Sequence, residues 1–215
     1  MDLTHIPDLP HKRRPWLTTA VLSWFDDACC DVKYLDRWHK VPLNYQPGQA
    51  TGPGWHRDRH EHILAERGST HRFRCAAHAL MTYNFYPPDL MSSASTFKLF
   101  QRWPRVGDRI VQRIHLLNLP GTPVLDVLGM VEITQVEQQP RQVGFTYVTT
   151  AVHAEMGEWS VQLTWDALGP IRLTMTAVSR PDPAEPRRNY RFMRAIQKSA
   201  HLRGLTHFSQ LVNAS

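Results

Sequence analysis

The chain is organised around the stretch Gly144-Phe-Thr-Tyr-Val-Thr-Thr-Ala-Val-His-Ala-Glu-Met-Gly-Glu-Trp159. Its first half reads as a β-strand with Phe145 and Tyr147 on one face, because side chains alternate along a strand. The alternation resumes in a second strand that ends at Trp165. The segment between the two strands carries three titratable side chains: His153, Glu155 and Glu158. We therefore predict an acid–base cluster between two sheet strands and place the candidate site there.

Size and composition indicate one globular domain. The chain has 215 residues, of which 42% are hydrophobic and 20% charged. A chain of this length can bury a sizeable core without disulfides or metals. We predict an N-terminal arm over residues 1–42 and a single domain over residues 43–215.

Charge and cysteine content exclude several classes of protein. The net charge of +6 suits nucleic acid, anionic lipid or an acidic small molecule. However, no Lys/Arg block alternates with stacking aromatics, as single-strand binding requires, so we predict no nucleic-acid partner.

The three cysteines, two of them adjacent, form no disulfide framework and fit a reducing compartment. No apolar run approaches the ~18 residues of a membrane span, so we expect a cytoplasmic protein without an integral membrane segment.

The second half of the chain reads as consecutive β-strands separated by Pro- and Gly-containing turns. Several of these strands carry apolar residues on both faces, which predicts that both faces of the sheet are covered. One cover could be a helix, and the other a second layer or a ligand. The predicted strands are 109–119, 124–138, 144–150, 159–165 and 171–179.

Three helices are predicted around this sheet. In the arm, Pro15 can start a helix whose apolar stripe packs on the domain, or on a partner or membrane surface; its members are Trp16, Ala20, Val21, Trp24, Phe25 and Ala28. Ser69 or Thr70 can cap a helix that ends near Tyr83. A final helix spans about 188–212. Its predicted buried stripe is Phe192, Ala195, Ile196, Ser199 and Leu202, and its solvated basic face is Arg187, Arg188, Arg191, Arg194 and Lys198.

The segment 55–64 gathers metal-ligand residue types. If it is extended, one face carries four of them: His56, Asp58, His60 and His62. Their spacing matches no established ligand motif, so we predict no metal. The alternative is a charged strand at a sheet edge, which discourages pairing with other edges.

Several blocks resemble the family known as domain of unknown function 1990. They are Leu43-Asn-Tyr-Gln-Pro-Gly-Gln-Ala-Thr-Gly-Pro-Gly-Trp-His-Arg-Asp58, Phe73-Arg-Cys-Ala-Ala-His-Ala-Leu-Met-Thr-Tyr83, Val106-Gly107, the pattern from Gly144 to Glu158, and Ser179-Arg-Pro181. The resemblance covers about residues 43–205. Val148 and Trp159 depart from the pattern, where the family usually has a glycine and a second glutamate. The order of elements is similar to the helix-grip fold of lipid-transfer, pathogenesis-related and cyclase proteins. The resemblance implies no particular reaction and no cofactor.

The fold class that we predict is α+β: an antiparallel sheet wrapped on a long C-terminal helix, with an N-terminal helical arm. The first functional hypothesis is binding of a small apolar or aromatic molecule between the sheet and this helix. The predicted wall residues are Tyr83, Tyr147, Thr149 and Trp165.

Two further hypotheses are an enzyme and a protein-interaction module. In a cyclase, dehydratase or isomerase, His153 would be the general acid or base, Glu155 or Glu158 would orient it, and Arg180 would hold an anionic oxygen. The structural alternative is that His153 and Glu158 hydrogen-bond a loop to the sheet, while Arg180 forms a salt bridge with Glu158 or Glu132. An interaction module would use the final helix and the arm. The sequence leaves the oligomeric state open.

Overall fold

The computed structural model describes residues 21–23, 31–117, 125–166, 169–183 and 187–214. The strands are β1 (Val21–Ser23), β2 (His56–Ala65), β3 (Met91–Ser95), β4 (Arg109–Leu117), β5 (Leu125–Gln139), β6 (Gln142–Thr149), β7 (Glu155–Trp165) and β8 (Ile171–Pro181). The helices are α1 (Val32–Arg37), α2 (Thr70–Met81), α3 (Thr96–Leu99) and α4 (Tyr190–Asn213). No described helix has the length and apolar character needed to span a membrane.

The eight described strands form one antiparallel sheet, in which seven follow the order β2-β8-β7-β6-β5-β4-β3 and β1 pairs with β5. Strands β4 to β8 pair with their neighbours in sequence, while β2 and β3 return to close the two edges. The predicted α+β fold, an antiparallel sheet with a long C-terminal helix, is confirmed. The predicted strand at 159–165 starts four residues earlier, at Glu155.

The two faces of the sheet have different covers. We call the face that carries Tyr147, Trp159 and Ala177 the inner face; these residues are adjacent in register across β6, β7 and β8. The main core lies between this face and the helices α2 and α4. Ser69 caps α2 as predicted, because its hydroxyl accepts a hydrogen bond from the Arg72 N–H at 3.2 Å.

The outer face is covered by chain from the N-terminal side. Tyr34, Leu35 and Trp38 pack on outward-facing apolar residues of β3, β4 and β5. Tyr45 and Ala50 pack beside them on Val148 and Met156. Both faces are therefore covered, as the apolar character of both faces predicted.

The predicted N-terminal helical arm contains one short described helix, α1. The helix predicted along the apolar stripe from Trp16 to Ala28 is wrong at Val21–Ser23, which instead form β1 and pair with β5. The rest of that stripe lies outside the described residues. The end of β5 nearest Leu128 extends beyond β6, so its backbone is free to pair with β1.

The buried face of α4 differs from the predicted stripe. Phe192 is 47% exposed and Leu202 is 59% exposed. The buried line instead contains Met193, Ala200, His201, Gly204, Phe208 and Val212. Gly204 allows this approach, because a Cβ atom there would lie 2.4 Å from the Phe85 ring. Small residues carry little hydrophobic signal, so the pattern alone selected a neighbouring stripe.

A buried ion network joins the N-terminal side of the chain to the sheet. Arg113 of β4 is 1% exposed. Its guanidinium donates to both carboxylate oxygens of Asp31, just before α1, and to Asp126 of β5 at 2.9 Å. The same Asp126 contacts the His115 ring at 2.9 Å. Burial alone would lower the pKa of Arg113, but the hydrogen bonds that it donates to two carboxylates outweigh this and raise the pKa, so its charge is fixed.

This network yields a stability prediction. Replacing Arg113 by methionine leaves two buried carboxylates without a cation, so Arg113→Met should lower the free energy of unfolding by about 3–5 kcal/mol. Urea denaturation at pH 7 measures the loss. The control is Arg59→Met, which removes an exposed pair with Glu61 and should change stability by less than about 0.5 kcal/mol. Equal stability of the two variants would contradict the prediction.

Candidate functional site

A pocket lies between the inner face of the sheet and the N-terminal half of α4. Its cavity volume is about 130 Å³, or about 1000 Å³ if the space open to solvent is counted as well. Its walls are mainly apolar and aromatic: Met91, Ile114, Val127, Trp159, Phe192, Met193 and Ile196. Tyr147 stacks on Trp159 with ring centroids 5.1 Å apart, so one wall is a continuous aromatic surface.

One end of the pocket holds a cluster of phenol hydroxyls around an amide. The side chain of Gln112 donates to the Tyr83 hydroxyl at 2.6 Å and lies 3.4 Å from the Tyr147 hydroxyl. Tyr86 belongs to the same group of interacting hydroxyls. Burial raises the pKa of all three tyrosines, so the hydroxyls stay neutral. Gln112, Tyr86 and Tyr147 line the pocket.

His153 lines the pocket just after β6. Its Nδ1 lies 3.1 Å from the N atom and 3.2 Å from the carbonyl oxygen of Glu155. Either neutral tautomer therefore finds a backbone partner. The ring edge with Cδ2 lies over Gly129, where a Cβ atom would approach it to 2.7 Å. Burial lowers the pKa of His153 to about 4, so the imidazole is neutral at physiological pH.

Glu155, the first residue of β7, lines the same pocket. Its Oε2 accepts a hydrogen bond from the Gln197 amide of α4 at 3.1 Å. Burial raises the pKa of Glu155 to about 8, and the nearby charge of Asp58 acts in the same direction, whereas Arg194 opposes them. A carboxyl group with such a pKa is mostly protonated at neutral pH.

A polar seam connects α4 to the edge strand β2. Arg194 donates to both carboxylate oxygens of Asp58 and also to the Gln197 side chain. Gln197 in turn donates to Ser179 at 2.7 Å as well as to Glu155. The seam therefore leads from the edge of the sheet to the pocket. Arg194 is thus not part of a solvated basic face, which corrects the sequence-based assignment.

The histidines of β2 share a face, as predicted, and this face is turned towards α4. The His60 ring lies 5.8 Å from the His201 ring, and His62 Nε2 lies 3.3 Å from the Ser209 hydroxyl. Asp58 is occupied by Arg194. In the described part of the chain, no three His, Cys, Asp or Glu side chains come together in a group able to hold a metal.

Glu158 and Arg180 lie on the outer face, away from His153. Glu158 borders the pocket region, but it lies on the same face of β7 as Met156. On that face it is near Arg57 and Tyr45. The Arg180 guanidinium lies over the Trp55 ring at 4.5 Å. The salt bridge predicted between Arg180 and Glu132 is wrong, because Glu132 pairs with Arg109 at 2.8 Å. Among the described residues, Glu158 forms no ion pair with Arg180 either.

The predicted wall residues are divided between the pocket and other places. Tyr147 and Thr149 line the pocket, but the Thr149 hydroxyl is engaged with Asn44 at 2.6 Å and with the Gly157 N–H at 2.9 Å. Tyr83 lies behind Tyr147 and holds Gln112. Trp165 packs on Phe73 and is absent from the pocket lining.

Sequence reasoning missed five polar lining residues: Tyr86, Gln112, Ser179, Gln197 and His201. Gln112 carried a usable signal, because it interrupts the inward-facing apolar row formed by Ile110 and Ile114. Gln197 and His201 are four residues apart on α4, and both are buried or half-buried. They were missed because the apolar stripe predicted for α4 lies on a neighbouring face of the helix.

Comparisons with known proteins support the fold. The family described as Domain of unknown function (DUF1990) matches residues 43–206. No curated protein matches the chain significantly in sequence. The structure of the hypothetical protein jhp0584 from Helicobacter pylori aligns with a TM-score of 0.51 at 8% identity, covering 78% of this chain and 94% of that one. This likeness concerns the fold alone.

Two plant proteins align with lower scores. A norcoclaurine synthase point mutant from Thalictrum flavum, solved with a transition-state analogue, has a TM-score of 0.43 at 9% identity and covers 74% of this chain and 95% of that one. The major latex-like protein 151 from Panax ginseng has a TM-score of 0.43 at 10% identity, with coverages of 74% and 96%.

The opposite pKa shifts in the pocket predict a pH dependence of stability. Between pH 4.5 and about 8, folded Glu155 holds a proton that the unfolded chain has lost, so the free energy of unfolding falls as the pH rises. His153 and His201, with folded pKa values of about 4, act oppositely, and most of their contribution is present by pH 6.5. Between pH 6.5 and 8 the loss of the Glu155 contribution outweighs what remains of the histidine gain.

Glu155→Gln should therefore abolish a decline in stability between pH 6.5 and 8 that amounts to at most about 2 kcal/mol in the wild type. Urea denaturation across this range measures it. The control is Glu61→Gln on the exposed side of β2, which should leave the decline intact. A wild-type stability that rises over this range would refute the assignment of a protonated Glu155.

Proposed function

The chain belongs to the DUF1990 family, and from its pocket we propose that it binds a small apolar or aromatic molecule between the sheet and α4. The observation that carries this proposal is the pocket with its aromatic and aliphatic lining and its few polar groups. Pockets of this composition are typical of small-molecule sites. Transfer of apolar surface from water to such walls contributes about 25 cal/mol per Å².

The polar groups of the pocket support binding with a defined orientation. They lie in two places: the hydroxyl cluster around Gln112, and the group formed by His153, Glu155 and Gln197. The two places are neighbours, because Gln112 pairs in register with Gly129, over which the His153 ring lies. The other walls are mainly apolar, with Ile114 on the sheet and Met193 on the helix as examples. A ligand would therefore gain affinity from its apolar body and orientation from its polar group.

A second candidate function is proton-transfer catalysis of the isomerase or dehydratase type. It is supported by two adjacent lining residues whose pKa values are displaced in opposite directions, His153 downward and Glu155 upward. Such a pair provides a neutral base and a neutral acid at the same pH. Glu158 and Arg180 have no part in this version, since they lie on the outer face.

The binding proposal predicts the effect of filling the pocket. The uncharged fluorophore N-phenyl-1-naphthylamine should bind the wild type with a stoichiometry of one. Ile196→Trp places an indole at the pocket wall and should weaken binding at least tenfold, about 1.4 kcal/mol. Fluorescence titration measures both affinities.

The matched control is Leu202→Trp, on the same helix but at a 59% exposed position, which should bind the fluorophore within twofold of the wild type. Absence of binding by the wild type, or equal affinity of the two tryptophan variants, would contradict the proposal.

The catalytic candidate predicts hydrogen exchange in a bound ketone. If His153 removes an α-proton while Glu155 protonates the carbonyl oxygen, deuterium should enter the methyl group of 2-acetylnaphthalene in D₂O roughly 100-fold faster than in buffer. Mass spectrometry follows the exchange. His153→Gln should abolish the acceleration while circular dichroism shows an intact fold. An exchange rate equal to that in buffer would eliminate this candidate.

A further inference from the structure

The carboxyl group of Glu155 faces the interior of the pocket. Glu155, Gly157 and Trp159 belong to the same row of β7, which is directed to the inner face. A charge on Glu155 would reach the hydroxyls of Tyr86 and Tyr147, because it contributes to raising their pKa values. The carboxyl group and the hydroxyl cluster therefore share one space.

Among the described residues, no cation pairs with this carboxyl group. The nearest guanidinium, that of Arg194, is turned to Asp58 and donates to both of its oxygens. In the described part of the chain, the Glu155 side chain accepts a hydrogen bond from Gln197 at Oε2. The second carboxyl oxygen is thus available to a ligand. A carboxylate without a counter-ion between apolar walls is costly, so the neutral acid is favoured.

We propose that Glu155 is a neutral hydrogen-bond donor that selects uncharged apolar ligands carrying a carbonyl oxygen. This inference rests on the proposed binding function and names its ligand class. A protonated carboxyl has one O–H to donate, and a carbonyl oxygen accepts it. Gln197 holds the other oxygen and so fixes the direction of the donor.

The same surroundings disfavour charged ligands. Among the described inner-face lining residues, an ammonium group would find no ionised carboxylate unless Glu155 lost its proton, and the Asp58 charge beside Arg194 opposes that loss. A ligand carboxylate would find neutral His153 and neutral Glu155 instead of a cation. An ion without a partner in such a site carries an uncompensated desolvation cost.

The test uses four naphthalenes of similar size: 2-acetylnaphthalene, 2-ethylnaphthalene, 2-naphthoate and 2-(naphthalen-2-yl)ethylamine. Each displaces N-phenyl-1-naphthylamine from the full chain at pH 6.5. The ketone should bind at least tenfold tighter than each of the other three. Glu155→Gln, which retains a donor, should preserve most of this margin, whereas Glu155→Leu should abolish it. Glu61→Leu, at an exposed position on β2, should behave as the wild type.

A second measurement needs no variant. Affinity for the ketone should fall between pH 6.5 and 9 as Glu155 loses its proton, while affinity for the hydrocarbon stays constant. Over this range Asp58 and Arg194 keep their charges, His153 and His201 stay neutral, and burial keeps Tyr86 and Tyr147 protonated. Asp182 acts on His153 from nearby, and Glu158 borders the pocket region from the outer face.

The outcomes separate the inference from the function on which it rests. Tightest binding by the amine, or a ketone margin that persists in Glu155→Leu, would overturn the role of Glu155 while leaving pocket binding established. A ketone affinity that is constant to pH 9 would overturn it as well. Failure of the wild type to bind the hydrocarbon and the fluorophore would overturn the binding function and this inference with it.

Discussion

The structure depends on one constraint: a sheet with apolar side chains on both faces must be covered on both. The inner face is covered by α2 and α4, and the outer face by α1 and the chain around Tyr45. The outer cover is continuous with the buried Arg113 network, which holds the N-terminal side in place. The inner cover is incomplete. The C-terminal half of α4 fills the core with Phe208 and Val212, whereas its N-terminal half stands over open space, and this difference creates the pocket.

Much of the architecture could be predicted because strands and caps have local signatures. Alternation located β4 to β8, and a hydroxyl residue before an apolar stripe located α2. The site was harder, since side-chain direction depends on where a strand starts. Starting β7 at Trp159 left Glu155 and Glu158 in one turn. Because β7 starts at Glu155, both residues lie in the strand. They are three positions apart, and an odd separation along a strand directs two side chains to opposite faces.

Long-range partners were also beyond the reach of local patterns. The sequence presents Asp58 in a row of histidines and Arg194 in a row of basic residues, so each looked like a solvent-facing charge. They pair with each other because β2 closes the sheet edge beside α4. Through Gln197 this pair is hydrogen-bonded to the pocket carboxyl group. The environment of Glu155 thus depends on Asp58, about 100 positions earlier in the chain, and on Arg194 and Gln197, about 40 positions later.

The pairing of β1 with β5 has a consequence for association between molecules. The part of β5 beyond β6 would present unpaired backbone N–H and C=O groups if β1 were absent. Open strand edges of this kind are templates for strands of other chains, and they promote aggregation and domain swapping. By pairing with β5, the three residues Val21–Ser23 remove a backbone edge to which a strand of another copy could add.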